Sequence, residues 1–195
     1  MNYTIQHDDY CDDPRDFDGN RTVMAFSHGR YRLPNEIDFD FEAYSSWDEA
    51  EKAFLKEVKP EKGTVRYYSR VYMMDHSYCA FSLSPFGGLY GRFDSGCVGF
   101  IAITADTIDD NKRRTQEQYA KIAKAELKTY ECYVNGEVYC VTILDDDGDE
   151  VDSCGGFYGH DSAEEWAKEQ IAMHKEAGLT KHVVSSDMGK PINER

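Results

Sequence analysis

Asp75-His76-Ser77 supplies the three residue types of a hydrolytic triad: a carboxylate, an imidazole and a hydroxyl. Neighbours along a strand point to alternate faces, so His76 would be thrown away from both partners, and residues adjacent in sequence rarely form a triad. Asp94-Ser95-Gly96 is a comparable polar turn entering an apolar run. If both turns fall at one edge of a sheet, Asp75, His76, Asp94 and Ser95 gather into one polar cluster. Two carboxylates and an imidazole placed together can bind a metal or move a proton. Arg15 and Asp16, with Asp18 close by, form a second polar group that could close over that cluster.

Other constellations are weaker. Asp145-Asp146-Asp147-Gly148-Asp149 invites a calcium reading, but aligning Gly148 with the invariant glycine of an EF-hand loop places Ile143 at the first ligand position. The histidines at 7, 28, 160, 174 and 182 show neither H-E-x-x-H nor H-x-H spacing. The phosphate-loop, dinucleotide and nucleophile-elbow motifs are missing, and Gly87-Gly88-Leu89-Tyr90-Gly91 is followed by Arg92-Phe93-Asp94, which is not a phosphate loop. No metal or cofactor is expected, and the balance leans away from an enzyme.

The elements that must position these residues are legible as patterns. Thr22–Phe26, Arg66–Met74 and Cys79–Ser84 read as strands, and Gly96–Thr104 is a nearly continuous apolar run suited to a central strand. Ser46-Trp47-Asp48-Glu49 is a capping box, opening a helix with Trp47, Ala50, Phe54, Leu55 and Val58 on one stripe; Pro60 and Gly63 end it. Thr107–Lys128 is helical in character, with Thr115 to Gln118 as a cap and Tyr119, Ile122, Ala123 and Leu127 as the buried stripe. Tyr130–Val134 and Glu137–Leu144 flank Asn135-Gly136, the dipeptide of a type I′ hairpin, and the acidic turn leads to a short strand over Val151–Cys154. Ser162-Ala163-Glu164-Glu165 is a further capping box for a helix carrying Trp166, Ala167, Gln170, Ile171 and His174 to a glycine stop at Gly178. Strands clustered as hairpins and punctuated by about three helices predict an α+β fold on an antiparallel or mixed sheet. One domain over 1–195 is expected, with an acidic loop-rich segment over 1–20 and a short strand or tail over 179–195.

Composition bounds the partners. The net charge is −15 and falls in blocks. Residues 1–20 carry six acids against Arg15, residues 36–61 nine against three lysines, and residues 145–169 ten against Lys168. Direct nucleic-acid binding needs clustered Lys and Arg and is not expected. Acidic excess serves solubility in a cytoplasm, and in blocks it also suits docking on a basic partner. The residues expected to form that surface are Asp145, Asp146, Asp147, Asp149 and Glu150 of the turn, with Asp161, Glu164 and Glu165 beyond it. No apolar run approaches a membrane span and no secretory leader is visible, so a cytoplasmic protein without membrane contact is expected. Six cysteines lie at 11, 79, 97, 132, 140 and 154; several fall in strand-like runs, and they read as reduced, mostly buried thiols.

Several stretches together resemble a widespread family of uncharacterised proteins encoded by bacteriophages and mobile elements. They are Asp13-Pro14-Arg15-Asp16-Phe17-Asp18, Thr22 to His28 with Arg30-Tyr31, Asp75-His76-Ser77, Ser84-Pro85-Phe86, Asp94 to Gly99, Asn135 to Tyr139 and Asp152 to Gly159. Phe17, Tyr78, Cys97 and Gly155 stand where the family pattern has Trp, Gly, Gln and Trp. The resemblance implies a genetic setting more than a mechanism. With the acidity, it leads to the expectation of an accessory protein that inhibits a host defence system, anti-CRISPR or anti-restriction in type. It would do so by occupying a basic nucleic-acid-binding surface as a DNA mimic. The alternative is a small-ligand-binding protein or hydrolase using the Asp75-His76-Ser77 and Asp94-Ser95-Gly96 turns.

Overall fold

The structure is a computed structural model that describes residues 1–59, 64–88, 93–108 and 114–187, with side chains described as far as residue 177. The fold is α+β. Among the described residues it holds two antiparallel sheets and three α-helices. Seven strands run Asn2–His7 (β1), Val23–Phe26 (β2), Tyr67–Asp75 (β3), Cys79–Ser82 (β4), Ser95–Ile103 (β5), Val138–Leu144 (β6) and Glu150–Tyr158 (β7). The helices are Trp47–Glu57 (α1), Gln116–Val134 (α2) and His160–Asp187 (α3). The chain divides into two compact units: Met1–Cys11 with Gly136–Arg195, and Asp12–Asn135.

In the larger unit the sheet order is β2-β5-β3-β4, and β5 is internal, as its unbroken apolar character predicts. Val98 to Ile103 are buried because both faces of the sheet are covered. On one face Met24, Phe26, Val71, Met73 and Ile101 pack against Ala123 and Leu127 of α2. On the other, Ala25, Phe100 and Ala102 pack against Ala50 and Phe54 of α1, against Val58 at its C-cap and against Phe39. Rings of Phe39, Phe41, Trp47 and Phe54 surround Phe100 with centroids 5.1 to 6.3 Å away. Ser46 caps α1 through the Glu49 N–H, and Arg70 of β3 ties the helix down by pairing with Asp48 and Glu51. The Glu49 carboxylate reaches back to Ser45 rather than to Ser46. Pro60 and Gly63, expected to end α1, lie outside the described residues.

The segment Tyr130–Val134 is not a strand, and Asn135-Gly136 is not a hairpin turn. Helix α2 continues through Val134, Asn135 is its C-cap and Gly136 follows at φ +68°. A helix C-terminus and a type I′ turn make the same demand on glycine, a left-handed backbone, so the dipeptide fits both. Helical spacing decides it, because Leu127, Tyr130 and Glu131 continue the buried stripe of Tyr119 and Ala123. The last turn also covers the edge strand β4. The Asn135 amide accepts from the Cys79 N–H (2.9 Å) and donates to the Cys79 carbonyl (2.8 Å), and Glu131 accepts from the Phe81 N–H (2.8 Å). Side chains thereby take the place of a further strand.

The smaller unit is a sheet of order β1-β6-β7 with α3 across it. β1 is an addition to the sequence reading: its alternation of Tyr3 and Ile5 with Thr4 and Gln6 is short and polar, and it pairs antiparallel with β6 from Asn2↔Leu144 to His7↔Tyr139. Val141 and Ile143 pack with Ala163 and Ala167 under Trp166. β7 extends past Cys154 by absorbing Gly155-Gly156 as a bulge, with Gly156 at φ +76°. Ser162 is not an N-cap, since α3 starts at His160 and the Ser162 hydroxyl donates back to the Gly159 carbonyl (2.7 Å). Gly178 does not stop α3, and residues 179–187 are helical instead of a strand or tail. A glycine inside a helix weakens it without ending it when no left-handed turn follows.

Gly99 on β5 sits where β2 crosses closest. A Cβ there would lie 2.0 Å from the Ala25 carbonyl oxygen and 2.8 Å from the Phe26 Cα. Both obstacles are backbone, so Gly99→Ala is expected to cost roughly 3 kcal/mol by forcing β2 and β5 apart. Denaturant unfolding measures this, and an unchanged midpoint would refute the close approach.

Candidate functional site

The C-terminal end of β3, the N-terminal end of β5 and the loop after β2 enclose a cavity of about 350 Å³ in the larger unit. The register explains it: Met74 pairs with Ser95, and the Asp75 N–H donates to the Asp94 carbonyl (2.8 Å). Asp75, Asp94 and Ser95 therefore share one lining, together with His28 and Arg30. His76 is exposed in the bend between β3 and β4 and is not part of that lining. The imidazole at the cavity is His28, from a loop that sequence spacing alone does not connect to residue 75.

Asp75 is held from two sides. Its Oδ1 accepts from the Tyr31 hydroxyl (2.9 Å) and its Oδ2 faces the Arg30 guanidinium (3.4 Å), leaving the carboxylate 13% exposed. The Tyr31 phenol is pushed up to about 12 by its hydrogen bonds to the Cys79 thiol and to Asp75. A phenol that donates to a carboxylate loses that bond on ionising and gains a like charge beside it.

Arg15 and Asp16 do not close over this cavity. They line a separate hollow of about 610 Å³ with Asp13, Arg32, Glu36 and Tyr130, while Asp18 is exposed in a turn. The Arg15 side chain is only 6% exposed. Its Nε donates to Glu36 (2.6 Å), its Nη1 to Glu126 (2.9 Å) and its Nη2 to the Thr22 carbonyl (2.8 Å). Glu126 also accepts from the Arg21 N–H and the Thr22 hydroxyl, and Glu36 from the Met24 N–H. Burial lowers the affinity of this guanidinium for its proton, but bonding and charge from Glu36 and then Glu126 overcome it, so its pKa is raised and it stays charged. The group is the hub that ties the N-terminal loop to β2 and α2.

The predicted acidic surface lies in the smaller unit. Asp145 closes the β6–β7 turn, its Oδ1 accepting from the Asp147 and Asp149 N–H groups (2.9 Å each). Asp146 pairs with the Met1 amine and Glu164 with Lys168 (2.7 Å), and both carboxyls are held below their usual range by those partners. Glu150 accepts from the Ser153 hydroxyl (2.8 Å). Asp147, Asp149, Asp161 and Glu165 are exposed, and their carboxylates take no hydrogen bond or ion pair among the described residues. Among the described residues no group of three His, Cys, Asp or Glu side chains is arranged to hold a metal ion, and no helix is long and apolar enough to cross a membrane.

The charge of the chain divides unevenly between the units. The smaller, little over a third of the chain, carries sixteen acids against five basic residues, or −11; the larger carries twenty-one against seventeen, or −4. Charge counts along the sequence place acidity in three blocks, and the fold separates their roles. In the 36–61 block, Glu36, Asp48 and Glu51 are bound to arginines of their own unit.

Comparison with protein-family models, with curated proteins and with solved structures returned no match.

Two outcomes check this geometry. Arg15→Ala strands the Glu36 and Glu126 carboxylates without the cation they share, and is expected to cost about 3–5 kcal/mol in unfolding experiments. A loss below 1 kcal/mol, roughly the value of an exposed pair, would show the network to be superficial. For Tyr31 the folded pKa lies above the ordinary value of 10, so its contribution to stability is full below pH 10 and lost as pH rises towards 12. Carbon-13 labelling of the tyrosines should show one ring titrating near pH 12 that disappears in Tyr31→Phe and shifts down in Asp75→Asn.

Proposed function

We propose that the protein acts by binding, and that its smaller unit is an acidic module that docks on a basic, nucleic-acid-handling surface of another protein. The observation that carries this reading is the concentration of charge: −11 of a total −15 resides in the β1-β6-β7 and α3 unit. Four of its carboxylates, on Asp147, Asp149, Asp161 and Glu165, are exposed and uncommitted among the described residues. Exposed acids that the fold does not use internally are available to a partner. Phosphates in duplex DNA present about one charge per 1.7 Å, and a protein surface rich in carboxylates competes for the same basic groove. The resemblance to phage and mobile-element proteins supports a more specific form of the proposal: an accessory protein, active in the host cytoplasm, that blocks a restriction or RNA-guided defence nuclease in the manner of a DNA mimic. Such nucleases hold their nucleic acid in strongly basic channels.

The test is a binding titration against purified restriction and RNA-guided nucleases, with and without competing duplex DNA. Binding should be displaced by DNA and weaken steeply as salt rises from about 50 to 200 mM. Neutralising Asp147, Asp149, Asp161 and Glu165 to the amides should weaken it by about tenfold or more, with the far-ultraviolet dichroism unchanged. Affinity indifferent to salt, or untouched by the four substitutions, would refute the acidic-module reading.

A further inference from the structure

We infer that the cavity at the β3–β5 end of the larger unit is a binding site for a small zwitterion, of the class of free α-amino acids. The site is separate from the acidic module and does not depend on it. Its lining offers opposite charges to two ends of one ligand. On the anion-accepting side stand Arg30 and His28. The His28 Nδ1 accepts from the Arg30 N–H (3.3 Å), which leaves the proton of the neutral ring on Nε2, a donor. Arg30 is anchored to Asp75 through one Nη1 contact of 3.4 Å, and its side chain is otherwise 79% exposed, so further N–H groups remain to meet a carboxylate.

On the cation-accepting side stands Asp94. Its backbone carbonyl is occupied by the Asp75 N–H, but its carboxylate takes no hydrogen bond or ion pair among the described residues. Asp75 is engaged by the Tyr31 hydroxyl and by a single Arg30 contact, whereas Asp94 faces no cation among the described residues, and an ammonium group complements it. The space of about 350 Å³ is at the small end of the range for ligand pockets, roughly 300–1,000 Å³, and suits a metabolite of amino-acid size. Phe93, 83% exposed at the rim, offers a ring to an apolar side chain of the ligand. A simple anion would leave Asp94 unanswered and a simple cation would leave the remaining Arg30 N–H groups unanswered, so a ligand carrying only one charge satisfies half of the site.

Nitrogen-15 NMR titration of the full chain provides the test, with glycine, leucine and phenylalanine as zwitterions and acetate and methylammonium as the separate halves. An amino acid should move the amide signals of His28, Asp75, Ser95 and Gly96, and each half-ligand should bind at least about tenfold more weakly. Asp94→Asn and Arg30→Gln should each weaken the amino acid by about tenfold or more while Tm stays put, since neither side chain is buried. Arg30→Gln keeps the test valid if Asp94→Asn disturbs the turn. Signals unmoved by every amino acid at millimolar concentration, half-ligands that bind as well as the whole, or binding that persists in both variants would each overturn the inference.

Discussion

A guanidinium buried as deeply as that of Arg15 is tolerable only if its N–H groups find acceptors and its charge is matched. Glu36 and Glu126 supply the match, and the Thr22 carbonyl and Asn20 complete the set. These partners come from the loop before β2, the loop after β2 and the middle of α2. The requirement to satisfy one cation therefore fixes where β2 enters the sheet and which turn of α2 lies above it. Glu126 in turn accepts from the backbone at Arg21 and Thr22, which ties the entry into β2 to the same helix. Apolar packing of Met24 and Phe26 against Leu127 gives the larger unit its cohesion, but it tolerates sliding. The ionic hub does not, because its geometry is directional.

The same distinction separates the acids of the chain. In the larger unit carboxylates repeatedly answer a cation or a backbone N–H: Glu36 and Glu126 at Arg15, Asp48 and Glu51 at Arg70, Glu131 at Lys128 and the Phe81 N–H. They are structural parts whose charge is cancelled locally. In the smaller unit the turn and the first turns of α3 carry charge that the fold leaves facing water. Net charge alone does not distinguish these two uses.

Most of the larger sheet was legible because its signals are local and redundant. The apolar run Gly96–Thr104 suits a central strand, and the Trp47, Ala50, Phe54 spacing suits a helix against a core. Where one signal served two structures, sequence reasoning chose by the nearer neighbours. Asn135-Gly136 beside Tyr, Cys and Val looked like a hairpin, but the stripe that makes those residues helical begins sixteen positions earlier at Tyr119. β1 was invisible for the opposite reason: its partner lies more than 130 positions away, and no local pattern announces a pairing of that range. The polar cavity was partly legible. Asp75, Asp94 and Ser95 converge because adjacent antiparallel strands place their ends together, whereas His28 and Arg30 arrive through a loop whose path depends on Asp75 and Tyr31. Among the described residues none of the cysteines forms a disulfide, and Cys79 and Cys132 are buried.

β1 also sets the order in which the molecule can be completed. Its hydrogen-bonding partner β6 begins only at Val138, after the whole of the larger unit has been made. At about 5–20 residues per second of synthesis, the strand waits on the order of ten seconds with its edge unpaired. During that interval residues 12–135, which supply the core and the ionic hub of the larger unit, are already available to one another. Closure of the smaller sheet is then a late, long-range step of the kind that slows folding. The polar alternation of β1, with Asn2, Thr4 and Gln6 on its open side, keeps the waiting segment soluble until β6 arrives.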